Sequence, residues 1–360
     1  MNIAYISSLA SLQGGGQRSL YLLLKYLNKE KYAPCLIVPA EGELSRVVRK
    51  LGIEAFALPF PRLRSLRFDQ SLAALKGLLR IIKEKKIDIL HLEGPRELFY
   101  SFVAKKFTGV HIVTHLRVSD TFMSFDRFLY ALSDSLIAVS NAVAARFVSV
   151  DRVGKVRVVY NGVELESYKV RDAGQKAEGF LKIGYFGRID RRKGIEVLIN
   201  AVQGMKERIE LLIMGSGDNA YLNELKALSG GCGNITFKGY KPDIIEELSE
   251  TDAVVLPAYR GEGLSRILME ALAMGKIAVA SDLDTNRELL GQEFKEFLFP
   301  VGDVKALKEV LERIASDKEI YFKKKDILRK RAEIIFDIRK NTQAIENIYD
   351  SLRRVHENRC

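Results

Sequence analysis

The feature that most constrains the fold is a repeated order of a short apolar run, a polar loop containing glycine, and apolar residues at helical spacing. In the clearest copy, the apolar run 253–256 ends at Pro257, which has no amide hydrogen for a strand ladder. A loop with two glycines, an amphipathic helical pattern and a second apolar run at 277–280 follow. Because a strand, loop, helix, strand order connects parallel strands, the sequence predicts an α/β fold.

Two further copies of this order occur upstream. The apolar run 181–186 leads through Gly187 into the loop GRIDRRKG and a helical pattern. Near the N-terminus, the run 2–6 is followed by GGGQ and by leucines on one helical face in 17–28. The triple glycine lacks the G-x-G-x-x-G spacing of a dinucleotide fingerprint, so a nicotinamide cofactor is not expected. Taken alone, it also fits a flexible loop that binds no ligand.

Two acids in the 260–274 segment are candidates for binding a sugar nucleotide. The loop after a parallel strand lies beside a helix N-terminus, whose free amides attract a diphosphate. Glu262, in the loop, would then contact a sugar hydroxyl, and Glu270, on the helix, would accept hydrogen bonds from a ribose diol. The alternative is that Glu270 pairs with Arg266 one turn earlier and that Glu262 is a solvated loop acid. These two acids alone leave both interpretations open.

The loop GRIDRRKG favours the phosphate interpretation. Arg188 offers a planar fork and Lys193 a mobile point charge, which together suit the two phosphates of a nucleoside diphosphate. Neither residue needs a metal ion for this role. The alternative is a solvated basic turn, and we expect Arg191 and Arg192 to be only that.

Taken together, the chain resembles the retaining GT-B glycosyltransferases of glycosyltransferase family 4, also called group 1 glycosyltransferases. The resemblance covers nearly the whole chain and rests on the order and spacing of the segments GGGQ, LIAVSNAVAARF, VVYNGVELESY, YFGRIDRRKG, LLIMGSGD, NITFKGY, EGLSRILMEALAMGK and LFPVGD. It implies two Rossmann-like parallel-sheet domains facing one another across a cleft. The second domain would hold most of the nucleotide sugar, and the first the acceptor.

The resemblance also implies roles for individual residues. Glu262 would contact the donor sugar, Glu270 the ribose, and Arg188 with Lys193 the diphosphate. His115 matches a histidine that contacts the sugar in relatives, although a lone histidine at a strand end is also commonly structural. The other implied donor-binding residues are Gly15 and Gly16, which would close over the donor, Tyr240 and Lys241, whose backbone would lie beside the base, and Gly263, Leu264 and Ser265, whose amides would lie around the phosphate and sugar.

The implied reaction moves a hexose-type sugar from a nucleoside diphosphate to a hydroxyl of a glycan or lipid-linked glycan, with retention of configuration. Family frequency alone favours a UDP-linked donor, and polysaccharide or lipopolysaccharide synthesis is the expected setting. Stabilising the departing phosphate is electrostatic, so we expect no protein nucleophile, metal or cofactor. The chain departs from relatives at Ser265 and at 277–278, where we expect the changes to be tolerated, and in the loop 281–288, where the departure bears on the shape of the loop and on its sugar preference.

Length and composition suit two soluble domains. The chain has 360 residues, and a 47% hydrophobic and 29% charged composition is ordinary for globular proteins. We expect an N-terminal domain at 1–170, joined by a terminal helix at about 340–360, and a C-terminal domain at 171–339, with the polar segment 171–179 as linker. The 3 cysteines show no metal spacing, and no secretory signal or membrane-spanning run is present, so the sequence predicts a cytoplasmic protein.

The charge balance requires a separate explanation, because 57 basic and 46 acidic residues give a net charge of +11. A basic cluster and an apolar stripe favour peripheral contact with the inner face of an anionic membrane, although the stripe also fits a buried core. These sets are Arg62, Arg64, Arg67, Lys76, Arg80, Lys83, Lys85 and Lys86, and Phe122, Phe125, Phe128, Leu129 and Leu132.

Other classes of protein remain alternatives at this point. Charge alone would support nucleic-acid binding, but no aromatic sheet motif, zinc spacing or basic recognition helix accompanies it, so nucleic acid is not an expected partner. A GT-B epimerase or phosphorylase would share the architecture. A catalytically silent relative that binds a sugar nucleotide as a regulatory subunit is a further alternative.

Overall fold

A computed structural model describes residues 1–61, 68–117, 130–147, 154–170, 180–260 and 263–357. The chain forms two compact units. Unit 1 comprises Met1–Gly162 and Ile338–Cys360, and unit 2 comprises Val163–Asp337.

Unit 1 contains a seven-stranded sheet with the order β3-β2-β1-β4-β5-β6-β7, and each neighbouring pair is parallel. Its strands are β1 (Asn2–Ile6), β2 (Ala33–Val38), β3 (Glu54–Ala57), β4 (Ile89–Leu92), β5 (His111–Leu116), β6 (Ser135–Ala138) and β7 (Val156–Val158). Its helices are α1 (Gly15–Tyr26), α2 (Glu43–Arg49), α3 (Phe68–Glu84), α4 (Pro95–Thr108), α5 (Asn141–Ala145) and, from the C-terminal end of the chain, α14 (Ile338–Glu357).

Unit 2 contains a six-stranded parallel sheet with the order β10-β9-β8-β11-β12-β13. Its strands are β8 (Leu181–Phe186), β9 (Ile209–Met214), β10 (Ile235–Gly239), β11 (Ala253–Leu256), β12 (Ile277–Ser281) and β13 (Leu298–Phe299). Its helices are α6 (Ile195–Val202), α7 (Asn219–Leu228), α8 (Ile245–Glu250), α9 (Arg266–Ala273), α10 (Asp284–Leu290), α11 (Val304–Ser316), α12 (Lys318–Phe322) and α13 (Lys325–Ile335), with short 3-10 turns at Arg191–Lys193 and Gln292–Phe297.

Both sheets show the strand order of a dinucleotide-type Rossmann fold, which confirms the predicted α/β class. In each unit the first strand is central, the next two strands extend to one side, and the fourth begins the other side. The direction of winding therefore reverses between β1 and β4 and between β8 and β11. In open parallel sheets, ligands bind outside the carboxyl ends of the strands at such a reversal.

The division between the units differs from the boundary expected at residue 170. The Val163 amide donates to the Phe336 carbonyl at 2.8 Å, and Val163 forms an isolated bridge with Asp337. Arg329 donates to the Leu165 carbonyl at 3.2 Å and also to the Tyr168 carbonyl. These bonds attach residues 163–168 to unit 2, so the first unit ends at Gly162. The expected linker 171–179 lies outside the described residues.

Gly194 allows the loop after β8 to lie directly against the end of β11. Its φ is +59°, in the left-handed region that disfavours side chains, and a β-carbon there would lie 2.2 Å from the Pro257 carbonyl oxygen. The Tyr259 amide also donates to the Arg192 carbonyl at 2.8 Å. The two loops at the reversal point are thus joined through their backbones, and a side chain at position 194 would push them apart.

We expect Gly194→Ala to destabilise unit 2 more than Gly204→Ala does. Gly204 also has a positive φ, +78°, but nothing lies within 4 Å of where its β-carbon would be. The control therefore carries the backbone strain without the clash, and we expect it to lose about 1 kcal/mol, against about 2–4 kcal/mol for Gly194→Ala. Urea unfolding of both variants measures the difference, and equal losses would contradict the close approach.

Candidate active site

The predicted donor-binding residues of unit 2 lie along the carboxyl edge of its sheet. Arg188 follows β8 and Tyr240 follows β10, while Gly263, Leu264 and Ser265 come between β11 and α9. All these strands are parallel, so their carboxyl ends share one edge. The reversal between β8 and β11 lies at the same edge, where a ligand is expected.

Backbone bonds hold the first three strand ends in a fixed arrangement. The Gly187 amide donates to the Met214 carbonyl at 2.9 Å, the Ile189 amide to Ser216 at 2.9 Å, and the Gly215 amide to Gly239 at 2.7 Å. A β-carbon on Gly215 would lie 1.7 Å from the Gly187 carbonyl oxygen. The segment carrying Arg188 is therefore fixed from both sides, and its side chain extends into solvent.

Two of the four basic residues in this loop are already neutralised by acids. Arg192 pairs with Asp190 at 2.8 Å, and its side-chain hydrogen bond lowers the pKa of Asp190 to about 2. Arg191 makes two bonds to Glu224, at 2.5 and 2.7 Å. Arg188 is exposed and makes no ion pair within the described parts of the chain. Arg191 and Arg192 are thus engaged by acids rather than merely solvated. Phosphate binding by Arg188 and Lys193 stays a prediction.

Glu270 is buried on α9 and pairs with Arg266. The Arg266 Nε and Glu270 Oε1 atoms lie 2.8 Å apart, and only 3% of the Glu270 side chain is exposed. The alternative pairing recognised in the sequence is therefore present. The contact neutralises a carboxylate that would otherwise be costly to bury, and contact with a ribose stays a prediction.

The segment before α9 is only partly described. Glu262 and Gly261 lie outside the described residues. Gly263, Leu264 and Ser265 are buried, and Ser265 occupies the N-cap position. Its hydroxyl accepts no hydrogen bond from the first turn of the helix. The first amides of α9 are thus not occupied by this side chain.

At the end of β10, Tyr240 and Lys241 differ in their surroundings. Tyr240 is 44% exposed. The Lys241 Nζ donates to Glu247 at 2.8 Å and lies 3.4 Å from Glu246, and the hydrogen bond to Glu247 raises the pKa of Lys241. The Lys241 side chain is therefore engaged by acids, and the contact of its backbone with a base stays a prediction.

His115, at the end of β5 in unit 1, belongs to a buried chain of polar rings. Its Nδ1 lies 3.2 Å from His91 Nε2, and His91 Nδ1 lies 2.6 Å from the Tyr349 hydroxyl. Tyr349, from α14, in turn contacts the Tyr5 hydroxyl at 3.1 Å. The remaining ring nitrogen, His115 Nε2, is buried without a hydrogen-bond partner among the described residues. It is the atom through which His115 could meet a ligand.

His115 lines a small cavity of about 10 Å³ between α1, β5 and α14. That space is near the lower limit for a single water molecule. The cavity is lined by Ser19, Leu23, His115, Arg117, Tyr160, Asn161, Gly162, Ile338, Asn341, Thr342 and Ile345. A hydroxyl group, but not a whole sugar ring, fits a space of this size.

Gly15 and Gly16 form the first turn of α1 instead of the flexible loop considered from the sequence. A β-carbon on Gly16 would lie 3.2 Å from the Arg117 side chain. Arg117 Nε is 2.9 Å from Glu93 Oε1, and both side chains are nearly buried. The glycines therefore place the amides at the start of α1 beside a buried ion pair.

Sequence reasoning missed four residues of this region, namely His91, Glu93, Arg117 and Tyr349. A signal for His91 was present, because ILHL and HIVTHL each place a histidine near the carboxyl end of consecutive apolar runs. Pairing of β4 with β5 brings these ends together. Tyr349 lies 258 positions from His91, and no local pattern indicates that contact.

Two family models together match residues 13–334. Residues 13–167 match "Glycosyltransferase Family 4", and residues 167–334 match "Glycosyl transferases group 1". The chain belongs to this family of glycosyltransferases, and its solved structural neighbours are GT-B glycosyltransferases.

Individual relatives act on lipid-linked acceptors according to their names. A phosphatidyl-myo-inositol mannosyltransferase of Mycobacterium leprae is 29% identical over 338 residues, covering 88% of this chain and 86% of the relative. The UDP-Gal:alpha-D-GlcNAc-diphosphoundecaprenol alpha-1,3-galactosyltransferase of Escherichia coli is 24% identical, covering 97% and 96%. The crystal structure of Anabaena HepE in complex with UDP and glucose superposes with a TM-score of 0.84 at 19% identity, covering 98% and 100%.

The buried histidines should make unit 1 sensitive to acid. Burial and then the positive charge of Arg117 lower the pKa of His91 from 6.5 to about 3, and the same causes lower that of His115 well below 6.5. As the pH falls from 6.5 towards 3, the unfolded chain takes up protons that the folded chain does not, so the free energy of unfolding falls.

We expect His91→Phe to reduce this slope by up to about 1.4 kcal/mol per pH unit. Urea unfolding at several values between pH 6 and 4 measures the slope, and titrating groups that do not contact His91 cancel in the comparison with wild type. Parallel curves for the two proteins would contradict a neutral, buried His91.

Proposed function

We propose that the chain is a retaining glycosyltransferase that moves a hexose from a nucleoside diphosphate, UDP in the first instance, to a hydroxyl of a lipid-linked glycan. The observation that carries the proposal is the position of Arg188 beside the β8/β11 reversal. Its side chain is exposed, while two neighbouring arginines are neutralised by Asp190 and Glu224. One guanidinium thus remains available for a diphosphate at the site where this fold binds ligands.

The proposed chemistry is the departure of a charged leaving group. Arg188 and Lys193 would stabilise the negative charge that develops on the nucleoside diphosphate as the bond to the sugar breaks. The amides at the start of α9 would add partial positive charge at the distal phosphate. Glu262 would hold the sugar and Glu270 the ribose. Positioning and preorganised charge would supply the rate, with no metal ion or protein nucleophile.

Comparisons with three proteins bear on the choice of donor and acceptor. The E. coli relative is named for UDP-Gal, and the Anabaena structure contains UDP, which favours uridine. The mycobacterial relative is named a mannosyltransferase, so the sugar itself stays open. Both named relatives act on acceptors attached to a lipid, phosphatidylinositol or diphosphoundecaprenol, which favours a lipid-linked acceptor and envelope polysaccharide or lipopolysaccharide synthesis.

We expect Arg188→Ala and Lys193→Ala to weaken binding of the donor by about 10- to 100-fold, since each would remove a hydrogen bond to a charged group. Arg191→Ala is the matched control, because Arg191 belongs to the same loop but pairs with Glu224. Calorimetric titration with UDP-, GDP- and ADP-linked hexoses measures the change and identifies the nucleotide. Equal losses in all three variants would argue for a general effect of charge.

A catalytically silent relative would bind the nucleotide sugar without releasing UDP or GDP in the presence of lipid-linked acceptors. A GT-B epimerase would convert the sugar while it stays attached to the nucleotide. Product analysis of the same mixtures separates these outcomes from transfer. Salt-sensitive binding to random DNA with no binding of sugar nucleotides would instead support the nucleic-acid alternative.

A lipid-linked acceptor would place the protein at an anionic membrane, and helix α3 offers a surface for such contact. Phe68, Leu72, Lys76 and Arg80 recur every four residues along α3, and all four are exposed. Phe68 is 79% and Leu72 52% exposed. The neighbouring helix α4 exposes 74% of Phe107. Apolar side chains beside cations suit the boundary between headgroups and acyl chains.

Several other residues expected at a membrane surface either lie outside the described residues or form ion pairs. The arginines at 62, 64 and 67 and the stripe from Phe122 to Leu129 lie outside the described residues. Lys85 pairs with Glu54. Within the α3 surface itself, Arg80 pairs with Glu84 at 2.7 Å, so Lys76 is the cation there that makes no ion pair among the described residues. No described helix is both long and apolar enough to cross a membrane.

We expect the double variant Phe68→Ser with Leu72→Ser to bind vesicles containing phosphatidylglycerol about tenfold less tightly than wild type, because two exposed apolar side chains are lost. Ile327→Ser with Ile334→Ser is the control, since these residues are 55% and 63% exposed on α13 of unit 2. Co-sedimentation measures binding. The proposed membrane surface would be refuted if anionic lipid did not change the binding of wild type to vesicles, or if both double variants lost the same amount of binding.

A further inference from the structure

The buried polar rings of unit 1 form one hydrogen-bonded series from β1 to the carboxyl end of β5. Tyr5 lies on β1, Tyr349 on α14, His91 on β4 and His115 on β5. Tyr5, His91 and Tyr349 are fully buried, and His115 is 3% exposed. We infer that Tyr349 and His91 are positioning residues that hold the His115 proton on Nε2, so that His115 presents a hydrogen-bond donor to a ligand oxygen.

The direction of the hydrogen bonds follows from the Tyr349 to His91 contact. The 2.6 Å separation is shorter than the usual range for an N–H donor and suits a hydroxyl donor. Tyr349 therefore donates to His91 Nδ1, which puts the His91 proton on Nε2. That proton points at His115 Nδ1, 3.2 Å away, so Nδ1 accepts and the His115 proton lies on Nε2.

The surroundings of Tyr5 favour the same direction. Its hydroxyl contacts Tyr349 at 3.1 Å and has no other hydrogen-bond partner among the described residues. Tyr5 and Tyr349 lie within an apolar cluster with Ile3, Leu24 and Ile345. If the hydrogen bonds were donated in the opposite direction, the Tyr5 hydroxyl hydrogen would be left in this cluster without an acceptor, which is unfavourable. With Tyr5 donating, the surplus hydrogen lies instead on His115 Nε2.

The four hydrogen-bonded rings are neutral at pH 7. Burial, followed by the charge of Arg117, lowers the pKa of both histidines. Burial likewise raises the pKa of Tyr5 and Tyr349 above its usual range. Each ring therefore carries a single mobile hydrogen, and fixing one bond fixes the others.

A donor at Nε2 defines the chemistry of the ligand group. His115 would donate to a hydroxyl or carbonyl oxygen, and it would not act as a general base, because that nitrogen has no free lone pair. Thr342, whose hydroxyl is also buried without a partner in the described structure, lines the same cavity. One hydroxyl of a sugar matches the small size of this space. The catalytic consequence rests on the proposed function, whereas the position of the proton does not.

Nitrogen-15 NMR of histidine-labelled protein without ligand tests the inference. We expect the wild-type His115 ring to carry its proton on Nε2, with the resonances assigned by His115→Gln. His111→Asn is the control, since His111 lies at the opposite end of the same strand, and it should leave the His115 resonances unchanged. A proton on Nδ1 of His115 would overturn the inference.

Two tyrosine variants test the series of hydrogen bonds that ends at His115. Tyr349→Phe removes the donor to His91, so we expect the His115 resonances to move towards a mixture of the two tautomers. Tyr5→Phe leaves His91 as the remaining acceptor for Tyr349, so we expect His115 to keep its proton on Nε2 in this variant. If Tyr349→Phe is folded by its circular dichroism yet leaves His115 unchanged, the role of Tyr349 is refuted. If Tyr349→Phe does not fold, His91→Phe is used in its place.

Kinetics separates this inference from the proposed function. With UDP-galactose and a lipid-linked acceptor, we expect Tyr349→Phe to lower kcat between roughly two- and tenfold with little change in the acceptor KM, whereas Tyr5→Phe should resemble wild type. A proton on Nε2 in a protein that binds no sugar nucleotide would leave the positioning inference standing and refute the transferase proposal.

Discussion

Parallel pairing of the strands is the constraint on which the rest of the structure depends. Because every strand in a sheet points the same way, loops that are far apart in the sequence end at one edge. In unit 2 this places the β8 loop, with Arg188, beside the segment that precedes α9. The reversal of winding between β8 and β11 leaves the two loops without a covering crossover between them, and close backbone contacts, as between Gly194 and Pro257, then fix their spacing. The site is thus a consequence of topology before any side chain is considered.

Ion pairs neutralise part of the positive charge in that site. Four basic residues occur between positions 188 and 193, yet Asp190 and Glu224 neutralise two of them. Such pairing reduces the general attraction of the loop for anions, while Arg188 stays exposed at the proposed diphosphate site. Glu270 is likewise neutralised by an ion pair, but in a buried position. Its pairing with Arg266 allows a carboxylate to be kept inside the helix layer, where an unpaired charge would not be tolerated.

The sequence predicted the parts of the fold and site that arise from local patterns. The strand, loop, helix order identified the α/β class, and the glycines around 187–194 indicated the loop that carries Arg188. The pairing of Glu270 with Arg266 follows from helical spacing and was also recognised. Long-range contacts were beyond such patterns. The first unit ends at Gly162 because Val163 bonds to Phe336, and Ser265 stands at the N-cap of α9 without making a side-chain capping bond. Glu262, central to the prediction, lies outside the described residues.

The contribution of α14 shows why the site of unit 1 could not be read from its first 162 residues. The helix presents Ile345, Ile348, Tyr349 and Leu352 at helical spacing, so its apolar face belongs to the core of unit 1. A leucine at position 349 would satisfy that pattern equally well. The hydroxyl of Tyr349 instead meets His91 Nδ1, which would otherwise be an unpaired polar atom in the core. Since His91 in turn occupies Nδ1 of His115, the return of the chain end to unit 1 determines which atom of His115 is left for a ligand.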